Sequence, residues 1–125
     1  MTLSRERRIA LLEIAQRHGL LVVEDDPYGE LRYDGESLPP LRALDPNVVY
    51  LGTFSKTIAP GLRIGWMIAP TRFQDPLTNA REVVDIHGDR MNPQIVHRAA
   101  AGFLDGHLET VARPSYRARR DALAV

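Results

Sequence analysis

Two cations stand on a short connector between apolar runs. In YLGTFSKTIAPGLRIGW, Tyr50 to Trp66, Lys56 precedes Arg63 by seven residues, and Thr53 and Ser55 lie just ahead of the lysine. A lysine amine is nucleophilic once deprotonated, so it can condense with an aldehyde, and its pKa moves readily with burial and neighbours. A guanidinium can hold a phosphate through two parallel charge-assisted hydrogen bonds, which an ammonium cannot reproduce. The stretch also brings hydroxyls, at Thr53 and Ser55. Upstream, EDDPY (Glu24 to Tyr28) puts carboxylates and a phenol at the end of another apolar run. If the runs are strands of one open sheet, their carboxyl ends share a rim where ligands gather. Such a set suits a ligand with a basic ring nitrogen, a phenolic oxygen, an aldehyde and a phosphate. On the residues alone, either Asp25 or Asp26 could be the acid that faces the nitrogen.

Other chemistries fit these residues less well. A phosphate loop needs glycine directly before its Lys-Ser/Thr pair, and here Ser55 holds that place. A serine hydrolase activated by Lys56 fails on geometry, because adjacent residues on an extended chain point opposite ways. The Ser-x-x-Lys pattern of penicillin-binding enzymes is absent. His18, His87, His97 and His107 never recur at i, i+4 with a carboxylate, so no metal site is read. Without cysteine the chain has neither a disulfide framework nor a thiolate nucleophile.

The elements that must position these groups follow from pattern. Ser4 is a helix cap with Glu6 near the positive end of the dipole. Ile9, Leu12 and Ala15 recur at helical spacing, and Gly19 supplies the stop. LLVVE (Leu20 to Glu24) reads as a strand buried on both faces of a helix-covered, mostly parallel sheet. Asp25 to Asn47, with four prolines and no periodicity, reads as a long functional loop. VVYLG (Val48 to Gly52) and IGWMIAP (Ile64 to Pro70) are two more strands. The eleven residues between them are too few for a parallel crossover. The third strand is therefore expected to be antiparallel to the second, or separated from it by another strand. Pro60-Gly61 supplies the turn that aims Arg63 back toward the rim. The remainder reads as helices over Asp75 to Gly88 and Asn92 to Gly106, the latter with an Asn cap and a Gly stop. A third spans His107 to Val125, with Pro114 as kink or restart.

Lys plus Arg equals Asp plus Glu at 16 each, so no net field favours nucleic acid or anionic lipid. No apolar run approaches the roughly 20 residues of a membrane span, and the start, MTLSRERRIALLEIAQRHG, lacks a secretory signal's pattern. A cytoplasmic location is expected. The last residues end mid-pattern without a stop, so an internal fragment is expected.

VVEDDPYGELRYDG followed by VVYLGTFSKTIAPGLRIGWMIAP resembles the fold-type I pyridoxal-phosphate aminotransferases of class I/II. Within them it is most similar to the 2-aminoadipate, aromatic and broad-specificity branch, with the effector domains of MocR-type transcriptional regulators as near relatives. The resemblance implies an α/β fold, part of a large cofactor-binding domain, with a mostly parallel sheet, one antiparallel strand and helices on both faces. It implies residues 1–105 as part of that domain and 106–125 as a helix leading toward a small C-terminal domain. It implies pyridoxal 5'-phosphate as cofactor, amino-acid and 2-oxo-acid substrates, and a homodimeric parent.

Residue by residue, the resemblance assigns Lys56 to the cofactor aldehyde and to proton transfer at the substrate α-carbon. Asp25 takes the pyridine N–H and Tyr28 the ring's phenolic oxygen. Arg63, Thr53 and Ser55 take the phosphate. Asp26 is left as a loop-turn residue, and Tyr33 and Tyr50 as packing. The family's substrate-carboxylate arginine lies downstream, so the 125 residues alone are expected to lack useful transaminase activity. The alternatives are a MocR-type effector domain, another reaction on the same scaffold, such as decarboxylation or β-elimination, and an inactive truncated remnant.

Overall fold

Ser4 opens the first helix as its spacing predicts. It caps α1 (Arg5–Arg17) by accepting from the Arg7 N–H at 3.4 Å. Gly19 closes it at φ +63°, with its N–H to the Gln16 carbonyl and the Leu20 N–H to Ala15 at 2.8 Å. That pairing satisfies two of the carbonyls a helix end leaves free, and only glycine adopts the required backbone without strain. A computed structural model describes residues 2–86 and 88–124. After α1 come β1 (Val23–Asp25), α2 (Leu41–Leu44), β2 (Val49–Thr53), β3 (Gly65–Ile68), α3 (Gln74–Val84), α4 (Met91–His107) and α5 (Arg113–Leu123). The strands form one sheet in the order β1-β2-β3. β1 pairs parallel with β2 in the register Val23–Val49, Glu24–Tyr50 and Asp25–Leu51. β3 is the antiparallel strand and neighbours β2 directly.

The chain divides into two compact units. The first holds the residues up to Asp25, with Ser37–Leu51 and Trp66–Gly88. Ala15, Leu41, Val48 and Val49 are its buried apolar residues. A polar network fastens the same unit. The Glu24 carboxylate accepts from Arg8 Nη1 and from the Arg42 N–H, both at 3.3 Å. Arg8 also donates to the carbonyls of Leu3 and Pro39.

The second unit holds Asp26–Glu36, Gly52–Gly65 and the residues from Asp89 onward. Leu31, Leu108 and Ala112 form its core, with Leu104 and Tyr116 packed against them. Arg113 Nε reaches the Glu30 carbonyl at 2.9 Å. Asp34 pairs with both Arg117 and Arg120, and these two guanidiniums also face the Tyr33 ring.

Four expectations change. LLVVE contributes a strand only at Val23–Asp25, and Leu20, Leu21 and Val23 are half exposed or more. An apolar run reports what its faces can bury, and the described residues leave these side chains open. The long loop is not wholly irregular: it holds a 3-10 turn at Gly29–Leu31 and the single turn α2. Asn92 is not the cap of α4. It lies inside the first turn, and the Asp89 carboxylate accepts from the Met91 and Asn92 N–H groups at 2.8 and 3.2 Å.

Nor does Gly106 stop that helix. The chain stays helical through a π-helical stretch, Leu108–Ala112, into α5. Pro114 explains the wide turn, since proline has no N–H and its ring clashes with the carbonyl four residues back. Pro114 is thus a distortion within a continuous helix. His87 lies outside the described residues. Among the described residues no helix is long and apolar enough to cross a membrane.

Candidate functional site

β2 delivers Thr53 at its last position, and the chain then turns through Phe54–Ala59 into a 3-10 turn at Pro60–Leu62. Two backbone bonds close the first bend, from the Ile58 and Ala59 N–H groups to the Phe54 carbonyl at 2.9 and 3.2 Å. Thr57 is buried at 5% exposure and anchors the bend inward, a role no motif signalled. Lys56, beside it, is exposed. Its Nζ stands 5.9 Å from the centroid of the Tyr28 ring, a cation–π approach. Tyr28 is itself 57% exposed and immediately precedes the 3-10 turn at Gly29–Leu31.

The left-handed residue of the loop is Arg63, at φ 54° and ψ 33°. Gly61, which the turn chemistry singled out, is not among the residues with positive φ. An L-residue there strains its backbone by about 1–2 kcal/mol, so neighbouring bonds must hold it. They converge on the next carbonyl: Ile64 O accepts from the Phe54 N–H at 3.1 Å and from Thr53 Oγ1 at 2.9 Å. Thr53 Oγ1 in turn accepts from the Ser55 N–H at 3.1 Å and lies 3.1 Å from Ser55 Oγ. The two ends of the loop are thereby tied together, with Lys56 and Arg63 exposed between them. Among the described residues neither cation forms an ion pair.

Tyr28, Thr53, Ser55, Lys56 and Arg63 all belong to the second unit. Asp25 closes the first unit's β1, exposed and in register with Leu51 at the carboxyl end of β2's paired residues. It too has no cation partner among the described residues. Asp26 behaves as a loop residue. Its carboxylate lies so close to Gly29 that a Cβ there would collide with it. A cavity of about 530 Å³ lies elsewhere in the second unit, lined by Arg32, Tyr33, Arg113, Arg117 and Asp121 among others, and it includes none of the predicted site residues.

Sequence reasoning missed the Ile64 carbonyl and the dual bonding of the Thr53 hydroxyl. The only signal was the hydroxyl two residues before Ser55, because the partner is a backbone atom eleven residues on.

The exposed amine and guanidinium, which form no ion pair among the described residues, sit on one tied loop, and such groups can respectively attack an electrophilic carbon and hold an anion. Residues 1–124 match the family model for aminotransferase class I and II. The aromatic-amino-acid aminotransferase 1 of Thermococcus litoralis is 42% identical over 98% of this chain, which covers 30% of that protein. The transcriptional regulator TauR of Rhodobacter capsulatus is 36% identical over 98% of the chain and 26% of its own length. The crystal structure of Pyrococcus horikoshii kynurenine aminotransferase, solved with PMP, superposes at a TM-score of 0.93. It shares 40% identity, and the match covers 99% of this chain and 31% of that one. The chain thus spans about a third or less of the length of these relatives.

Proposed function

The chain belongs to the class I and II aminotransferase family, and from that premise we propose that it is part of a pyridoxal-phosphate-dependent aminotransferase exchanging an amino group between an amino acid and a 2-oxo acid. The observation that carries the proposal is the loop that presents Lys56 and Arg63 together, both exposed and, among the described residues, without ion-pair partners. These residues fit the cofactor's chemistry, since the loop offers an amine for an aldehyde and a planar fork for a phosphate dianion. When bound, pyridoxal phosphate supplies a carbonyl for amine exchange and a protonated ring that withdraws electrons from the substrate α-carbon.

Lys56 would hold the aldehyde end of the cofactor, and its amine would take and return the proton at the substrate α-carbon. Arg63 anchors the phosphate, with hydroxyl donors from Ser55 and Thr53 assigned to the same anion. Asp25 would accept the pyridine N–H, and a carboxylate that has no cation partner among the described residues suits that task. Tyr28 donates its hydroxyl to the ring's phenolic oxygen, while its ring face lies toward the Lys56 amine.

We assign residues 1–105 to part of a cofactor-binding domain and 106–125 to a helix leading toward a smaller one. The whole protein is proposed to be a cytoplasmic homodimer, and the 125 residues alone are expected not to sustain turnover. Adding pyridoxal phosphate to the protein should produce a visible absorbance band that borohydride fixes. Lys56→Ala should abolish it, and a band that persists in that variant refutes Lys56 as the anchor.

The likeness to TauR favours one second reading, a MocR-type effector domain that binds the same cofactor without turnover. A winged-helix segment encoded upstream, with no amino-acid-dependent 2-oxo-acid turnover by the whole protein, would decide for it.

A further inference from the structure

We propose that the arginine-lined cavity of the second unit binds a small organic carboxylate, at a site separate from the residues assigned to the cofactor. The cavity of about 530 Å³ falls in the size range of small-molecule sites. It lies between the segment Arg32–Gly35 and the helical stretch from Glu109 to Asp121. Its wall carries three guanidiniums, from Arg32, Arg113 and Arg117, and two carboxylates, from Glu109 and Asp121.

Some of these charges are already engaged. Arg117 bonds to Asp34 and to the Tyr33 carbonyl, and Asp121 bonds to Arg120. Arg113 commits its Nε to the Glu30 carbonyl at 2.9 Å, which leaves its Nη groups without a partner among the described residues. Arg32 forms no ion pair among the described residues, and its Nε is buried with no hydrogen-bond partner. An unbonded buried N–H of a charged group is unfavourable, so this side chain gains from an acceptor that lets it re-pair. Its guanidinium lies against the bare backbone of Gly35, with Nη2 2.9 Å from where a Cβ would stand, and Gly35 itself lines the cavity. The unpaired cation is therefore at the cavity wall, on a flexible stem that can turn toward a ligand.

The ligand class follows from the rest of the lining. A planar guanidinium matches a carboxylate through two parallel charge-assisted bonds. Glu109 has no ion pair among the described residues, and Asp121 adds a second negative group. A phosphate dianion meets more repulsion from these two than a carboxylate monoanion does. Tyr33, Pro114 and Ala118 supply apolar wall for an organic body.

Benzoate, a planar carboxylate on an apolar ring, is the probe, with inorganic phosphate as the comparison. In calorimetric titrations of the cofactor-free protein, benzoate should bind about threefold more tightly than phosphate or better, the scale of one exposed like-charge contact. Arg32→Gln should weaken benzoate about tenfold or more, the scale of a charge-assisted bond. Arg119→Gln makes the same charge change at an exposed position outside the cavity lining, and it should alter affinity less than about twofold, as should Arg63→Ala. In nitrogen-labelled wild type, the Arg32 Nε–H resonance should move with the benzoate titration, a readout that needs no variant.

No measurable benzoate binding would overturn the proposal. So would binding that survives Arg32→Gln, or an Arg32 Nε–H resonance that stays fixed while benzoate binds. Binding lost in Arg63→Ala would place the ligand on the cofactor loop and overturn the separate site. Phosphate bound as tightly as benzoate would overturn the carboxylate assignment. Each of these failures leaves the cofactor reading standing, because the cavity includes none of the residues that reading uses.

Discussion

Replacing Glu24 by alanine removes the acceptor at the centre of the first unit's polar network. Its side chain is 12% exposed and that of Arg8 13%, so the pair is largely shielded from water. The variant loses a charge-assisted bond from Arg8 and the bond from the Arg42 N–H, both long at 3.3 Å. Both bonds go to an ionised acceptor, where a bond of normal length contributes about 1.5–3 kcal/mol, and at 3.3 Å each is taken as about 1 kcal/mol. Arg8 keeps the Leu3 and Pro39 carbonyls, so its charge is not stranded. The sum is about 2 kcal/mol. For a chain of 125 residues each kcal/mol moves Tm by about 4 °C, so the variant should melt about 8 °C lower by circular dichroism. In an Arg8→Ala background the same change should lose only the Arg42 contribution, roughly half as much. A drop under about 2 °C, or equal drops in both backgrounds, would show that this network does not hold β1 as described.

Two further outcomes can be checked on the second unit. The Arg120 hydrogen bond, with help from Arg117, holds the Asp34 carboxyl below its usual range. A depressed carboxyl stabilises above its unfolded pKa of about 3.9, and that stability is lost as pH falls through the folded value. Hydrogen exchange along α5 should therefore quicken below about pH 4 and lose that step in Asp34→Asn. Leu108, 2% exposed at the centre of the second core, should lose about 3 kcal/mol on replacement by alanine, read as a lower urea midpoint at unchanged slope.

What was legible in the sequence was local. Ser4 and Gly19 marked α1 because cap and stop chemistry depends on bonds within a few residues. β2 and β3 fell within a residue or two of their apolar runs, and the short connector left two arrangements, an antiparallel third strand or one set apart from β2, of which the first is found. Exposure was not legible, because Leu20 and Val23 are open or covered according to what lies over them, not by their own pattern. Asn92 falls inside the first turn of α4, and the Asp89 carboxylate takes the Met91 and Asn92 N–H groups instead, because the residue types alone do not say which of two nearby acceptors precedes the helix.

At the candidate site the residue types and order of Lys56 and Arg63 were visible, and so was a turn between them. The left-handed backbone at Arg63 was not, since arginine carries no preference for it and glycine stands two residues earlier. The Glu24 network was hidden for a related reason: its partners lie 16 and 18 residues away, and a glutamate ending an apolar run reads only as a strand end.

The central claim is that the exposed amine at Lys56 is the cofactor's anchor, and peptide mapping tests it most directly. The protein is treated with pyridoxal phosphate, reduced with borohydride, digested and analysed by mass spectrometry. The account predicts a pyridoxyl phosphate group on the peptide containing Lys56, the sole lysine in the chain. An unmodified Lys56 peptide under conditions where the protein binds the cofactor would contradict it.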